Sequence, residues 1–136
     1  MAYRFPLTVR GYHIDVYQHV NNASYLQFTE TAQWELFDNS GFLQWMTERG
    51  VAFVVVNINI SYRTAAYMND RLTVESTFHP VTQGKKSGKL KHVIYRNGTL
   101  IAQAEVIYCC IDLKAEKALP MEGELLAQIE HLVRSE

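Results

Sequence analysis

From Asn21 to Phe37 the chain holds neither glycine nor proline, and from Val51 onward its apolar residues switch from a helical period to a period of two. No other feature limits the fold as much. Asn21 and Asn22 are good helix N-caps. Beyond them Tyr25, Phe28, Ala32 and Leu36 recur at helical spacing, while Leu26, Trp34 and Phe37 broaden the apolar surface. A helix apolar around much of its circumference is expected to be largely buried. It should end near Asn39-Ser40-Gly41, with Phe42 to Glu48 forming a shorter helix. Upstream, residues 4 to 12 read as a first strand that closes at Gly11.

Downstream, Val54, Val56, Ile58, Ile60 and Tyr62 alternate with Val55, Asn57, Asn59, Ser61 and Arg63, the pattern of a half-buried strand. Leu72, Val74 and Phe78 alternate with Arg71, Thr73, Glu75 and Thr77 in the same way. Residues 87 to 95 and 100 to 111 flank Arg96-Asn97-Gly98-Thr99, and Asn-Gly is a strong signal for a tight hairpin. An amphipathic helix follows Pro120, with Leu125, Ile129, Leu132 and Val133 on one side. The order is strand, long helix, four strands in a meander, terminal helix. That predicts an α+β fold in which an antiparallel sheet wraps one buried helix. The 136 residues hold no repeat or linker, so one domain should span 1–136.

Charge excludes some functions. Thirteen Lys and Arg against fourteen Asp and Glu leave a net charge of −1, too little for a global field that grips nucleic acid or an anionic membrane. An anionic ligand has to be held by a local patch. Cys109 and Cys110 are neighbours, and in a strand their side chains point to opposite faces, which disfavours a bridge between them. No C-x-x-C is present to suggest zinc or a redox dithiol. Residues Met1 to Pro6 lack a hydrophobic leader core, and no stretch approaches the ~20 apolar residues of a spanning helix. The expectation is a reduced, cytoplasmic protein, in which the N-x-S/T triplets at Asn22, Asn59 and Asn97 are chance.

Chemistry concentrates in His13-Ile14-Asp15-Val16-Tyr17-Gln18-His19-Val20-Asn21-Asn22, between a strand end and a helix start. Free N–H groups and the positive end of the helix dipole favour negative charge there. Such N–H groups can hold an oxyanion developing on a carbonyl, each worth about 3 kcal/mol in a dry site. Asp15 can attack that carbonyl or deprotonate a water. The plainer alternative makes Asp15 and His19 loop caps feeding the helix. A metal triad of His13, Asp15 and His19 has weak spacing, and no G-x-S-x-G elbow exists for a serine hydrolase.

The stretch from Arg10 to Tyr25 resembles the hotdog-fold acyl-CoA thioesterases of the 4-hydroxybenzoyl-CoA thioesterase type, whose signature D-x-x-x-H-x-N-N-x-x-Y is met by Asp15, His19, Asn21, Asn22 and Tyr25. The similarity continues through Phe53 to Arg63 and Cys110 to Lys114, and is greatest to the bacterial long-chain branch. Thr64-Ala65-Ala66 departs from the proline that members often carry after Tyr-Arg. The resemblance implies a curved antiparallel sheet of about five strands around the helix, plus the C-terminal helix. It implies a homodimer or dimer of dimers with active sites at the interface, an acyl-CoA substrate and no metal or organic cofactor. Asp15 takes the place of the catalytic carboxylate, as nucleophile or general base. The Asn22 backbone N–H takes that of the oxyanion donor.

Gln18 and His19 are close enough in sequence to orient water or Asp15, although His19 also reads as a structural histidine. Glu30 reads as an interior hydrogen-bonding partner. In Lys85-Lys86-Ser87-Gly88-Lys89-Leu90-Lys91 the charges suit a solvated bend that blocks edge aggregation. The resemblance places Lys85 and Lys86 where basic residues meet coenzyme A phosphates, with Arg63 a second candidate. Trp34, Phe37, Phe42, Trp45 and Met46 suit core, dimer contact or the wall of an acyl tunnel. A non-catalytic acyl-CoA or acyl-carrier-protein binding module would keep the tunnel and the lysines without needing Asp15.

Overall fold

The computed structural model describes residues 2–134. Its elements run β1 (Tyr3–Thr8), a single 3-10 turn (Gly11–His13), α1 (Asn22–Ser40), α2 (Phe42–Arg49), β2 (Val51–Tyr62), β3 (Arg71–Phe78), β4 (Gly88–Arg96), β5 (Thr99–Asp112), β6 (Lys117–Ala118) and α3 (Gly123–Arg134). The sheet is antiparallel in the order β1-β3-β4-β5-β2, and the two-residue β6 pairs with β5 at Ile111 and Asp112. Asn97 and Gly98 both have positive φ, 49° and 81°, so β4 and β5 meet through the primed turn that Asn-Gly favours. A long helix on a curled antiparallel sheet is the α+β arrangement implied by the resemblance.

The four-strand meander shortens to β3-β4-β5, because β2 pairs with β5 and leaves the other edge of β3 to β1. Three local expectations change as well. The first strand stops at Thr8, because the Arg10 N–H donates to His13 Nδ1 at 2.9 Å and the chain coils into the 3-10 turn. Val56 is an extra residue in β2: Val55 pairs with Tyr108 and Asn57 with Ile107. This bulge reverses the phase of the strand, so Phe53 and Val55 share the inner face with Ile58 and Ile60, and Val56 turns outward, 61% exposed. Finally, the sheet covers α1 on one side only. Ser24, Tyr25, Phe28, Thr29, Ala32, Gln33, Leu36 and Phe37 are buried, whereas Leu26 and Trp34 are 36% and 42% exposed in the single chain.

The buried face divides into two apolar clusters. One gathers Phe37, Phe42, Phe78, Leu90, Tyr108 and Ile129 at the α3 end. The other gathers Tyr25, Phe28, Ala32, Leu72, Val74 and Ile94 beneath the start of α1. Between them lies a polar seam of Thr29, Gln33, Ser76 and His92, all buried. The α3 end is latched by Arg49, which reaches Glu124 at 3.1 Å and covers the Trp45 ring at 4.9 Å.

Candidate active site

Asp15 sits at the root of a tight loop. An Ile14–Val20 bridge closes it; within, the Asp15 N–H donates to His19 O and the Gln18 N–H to Asp15 O, both at 3.0 Å. Asp15 and His19 therefore face each other across the loop neck. Asp15 Oδ1 accepts the Tyr17 N–H at 2.9 Å, which leaves Oδ2 without a partner among the described residues. Gln18 occupies the left-handed position of the turn, φ 67°, with its side chain exposed.

The helix start is arranged around Asn22. Asn21 Oδ1 accepts the Ala23 N–H at 2.8 Å and Asn21 O accepts the Ser24 N–H at 2.9 Å. Of the first three helical amides, that of Asn22 is left without an acceptor among the described residues. Its carbonyl receives the Tyr62 hydroxyl at 3.3 Å, tying the helix start to the end of β2.

These groups line one cleft of about 370 Å³, walled by Asp15, His19, Asn22, Tyr25, Tyr62 and Arg63, with Thr64 and Ala65 behind. The Val20 N–H donates to Ala66 O at 2.9 Å and the Ala66 N–H to the Tyr25 hydroxyl at 3.3 Å, which fixes the loop neck against the far wall. Burial raises the Tyr25 phenol pKa, and the Ala66 bond offsets part of that rise. Asp15, His19, Asn22 and Arg63, which carry a carboxylate, an imidazole, a free helix-start amide and a guanidinium, thus border one open space. The arrangement can polarise a carbonyl and activate a water beside it.

The other sequence candidates lie elsewhere. Gln18 is not in the cleft wall. His13 turns inward against Phe28, with ring centroids 4.8 Å apart, and burial lowers its pKa. No three His, Cys, Asp or Glu side chains converge as metal ligands among the described residues. Glu30 is not an interior partner: it is exposed and borders a second cavity, between α1 and the sheet. Lys85 lines a third cleft with His79 and Lys89, and Lys86 is exposed beside it. Gly88 is level with Tyr108 and Tyr62 with Ala102, so the lysine loop lies about 20 Å along the strands from the Asp15 cleft of the same chain. Sequence reasoning missed Tyr62 as an anchor of the helix start, and missed His92. The signal for His92 was present: a histidine interrupts the inward series Leu90, His92, Ile94.

A long helix on a curled antiparallel sheet, with a cleft at the helix start, is the frame of a hotdog-fold protein, and the chain belongs to the thioesterase-like superfamily, whose family model matches residues 9–129. It is 50% identical to the long-chain acyl-CoA thioesterase FadM of Escherichia coli K12 over 130 residues, 94% of this chain and 97% of that one. It is 32% identical to the acyl-CoA thioesterase YbgC of Haemophilus influenzae, covering 96% of each. Among solved structures, the probable thioesterase YbaW from Escherichia coli superimposes with a TM-score of 0.88 at 48% identity, covering 96% of this chain and 98% of that one. No helix among the described residues is long and apolar enough to cross a membrane.

Proposed function

We propose that this thioesterase hydrolyses medium- or long-chain fatty acyl-CoA to the free acid and coenzyme A, with Asp15 carrying the reaction. The observation behind this is the pairing of an unengaged Asp15 oxygen with an unengaged helix-start amide at Asn22 in one cleft. The Asn22 N–H accommodates charge on the thioester oxygen as the carbonyl carbon becomes tetrahedral. Asp15 Oδ2 takes a proton from water, or attacks directly to give an anhydride that water then opens. Coenzyme A leaves as a thiolate and is protonated from solvent. His19, which lines the cleft across the loop neck from Asp15, holds the water in this reading. Gln18 contributes through the shape of the turn.

Arg63 in the cleft and the Lys85–Lys86 loop are assigned to the coenzyme A phosphates. Their separation along the sheet fits a homodimer, or a dimer of dimers, in which each site draws on two chains. A cytoplasmic setting belongs to the same reading and suits two free cysteines, one of them, Cys110, with its thiol pKa raised by burial to about 12.

Asp15→Asn tests the assignment. Asparagine keeps an oxygen for the Tyr17 N–H, so the turn survives, but it neither attacks nor accepts the proton. Thiol release from a panel of acyl-CoAs should fall about 10²-fold or more with KM nearly unchanged. Turnover that survives the substitution sinks the role of Asp15. Tight binding without hydrolysis by wild type would instead leave an acyl-CoA or acyl-carrier-protein binding module.

A further inference from the structure

The second cavity, about 230 Å³, opens between α1 and the inner face of β2, β4 and β5. Its walls are Leu26, Val55, Ile58 and Val106, and it ends on the polar seam of the core. His92 Nδ1 and Ser76 Oγ lie 2.7 Å apart, leaving His92 Nε2 without a partner among the described residues although the residue is 1% exposed. Gln33, 6% exposed, also borders the cavity and has no side-chain partner among the described residues. Both residues border the same cavity and retain hydrogen-bonding capacity there.

The cavity lies further along α1 from the Asp15 cleft. Asn22 at the cleft and Leu26, Thr29, Glu30 and Gln33 at the cavity share one face of the helix, the path an acyl chain would follow from the Asn22 amide to the seam. At the bulge the inward series of β2 steps from Val55 to Ile58, which widens the wall there. His92 lies two strands across and two residues along from Tyr62, about 12 Å away. An extended hydrocarbon advances ~1.25 Å per bond from ordinary bond lengths and angles, so that span holds roughly 8–10 carbons.

We propose that this cavity is an acyl-chain subsite for chains bearing a hydroxyl or keto oxygen at mid-chain, and that His92, oriented by Ser76, hydrogen-bonds that oxygen. This rests on the thioesterase reading above. A neutral oxygen is the matching chemistry: burial holds the His92 pKa at about 4, so the ring is uncharged at neutral pH, and Glu30 at the mouth opposes a carboxylate.

The test compares kcat/KM for tetradecanoyl-CoA with its 3-, 6-, 9- and 12-hydroxy derivatives, in wild type and in Ser76→Ala/His92→Leu, which removes both polar partners together. Wild type should favour the 9-hydroxy ester over the unsubstituted one by roughly tenfold or more, and the variant should bring that ratio to one or below. The readout is a ratio within one preparation, so lost active enzyme cancels. A flat positional profile in wild type, as water filling the cavity would give, overturns the proposal, and so does a preference that survives the double substitution. Should the variant not fold, the wild-type profile decides alone, a maximum near the ninth carbon supporting the subsite. Failure to hydrolyse even the unsubstituted ester would be failure of the thioesterase reading itself.

Discussion

Arg96 and Asp70 form a half-buried ion pair at 2.6 Å, and through it β4 controls the loop that walls the Asp15 cleft. Asp70 Oδ2 also accepts the Tyr67 N–H at 2.8 Å, and Arg96 Nη1 also donates to Ala65 O at 3.1 Å. The next residue, Ala66, holds Val20 and hence the neck of the Asp15 loop. Three elements distant in sequence are thereby locked in one geometry.

Arg96→Ala should cost about 1–2 kcal/mol, a figure tempered by the pair's partial exposure. The cleft wall would drift, and kcat should fall about fivefold with KM little changed. Arg96→Lys should recover much of the stability but less of kcat, since the ammonium stops one bond short of the Nη1 nitrogen that serves both acceptors. Urea midpoints and thiol-release kinetics on the three proteins check this. Equal kcat in all three would reduce the pair to a purely structural role.

A tight contact lies at the other end of the sheet. A Cβ placed on Gly88 would collide with the Tyr108 hydroxyl, and that buried hydroxyl has no hydrogen-bond partner among the described residues. Gly88→Ala should destabilise by about 1–3 kcal/mol through overpacking. Tyr108→Phe should be neutral or stabilise by about 1 kcal/mol, because it removes an unsatisfied buried group. The double substitution should recover only the part due to the hydroxyl, because the Tyr108 ring carbons that also crowd the added Cβ remain in phenylalanine, and a double-mutant cycle reads that coupling. Additive effects would mean that the strand absorbs the methyl by moving away.

The elements visible in the sequence were those specified locally. The helix between the Asn21 cap and Gly41, and the Asn97-Gly98 hairpin, follow from neighbours in the chain. That Asp15 and Asn22 border one cleft was legible because the motif packs carboxylate and helix start into eight residues. What stayed hidden is set by partners far away in sequence. Val56 looks like one more alternating valine, and only its register against Tyr108 and Ile107 makes it a bulge. Arg96 and Asp70 are ordinary charges until the fold joins them. In the dimer proposed above, the reach of Lys85 depends on a neighbouring chain, which no pattern within one chain contains.

The buried histidine should make stability depend on pH. The His92 pKa is lowered to about 4, from 6.5 for the unperturbed side chain, by burial. Between those values the unfolded chain binds a proton that the folded chain does not. Stability therefore rises with pH through this window and is lost as pH falls through it. From pH 7 to pH 5 the expected loss is about 2 kcal/mol from this group. Burial lowers the His13 pKa too, which adds a contribution of the same sign. Urea unfolding at both pH values and fixed protein concentration should show much of this difference vanish in His92→Gln. An undiminished difference would place the titration elsewhere.

The distance between Asp15 and the Lys85–Lys86 loop leads to the most discriminating prediction. Lys85 is fixed by its backbone, its N–H bonded to Thr82 O at 3.1 Å and its carbonyl to the Met121 N–H at 2.7 Å, so the loop does not swing freely toward its own chain's cleft. Lys85→Ala with Lys86→Ala should raise KM for acyl-CoA several-fold, more at low salt than at high, with less effect on kcat. Hybrid dimers then distinguish the source of the lysines. When Asp15→Asn chains are paired with Lys85→Ala/Lys86→Ala chains, a site drawing on both chains exists once per dimer in fully wild-type form. Such hybrids should show the wild-type KM at about half the wild-type turnover. If Asp15 and the lysines of one chain serve the same substrate, every active site in the hybrid lacks its lysines, and the raised KM persists.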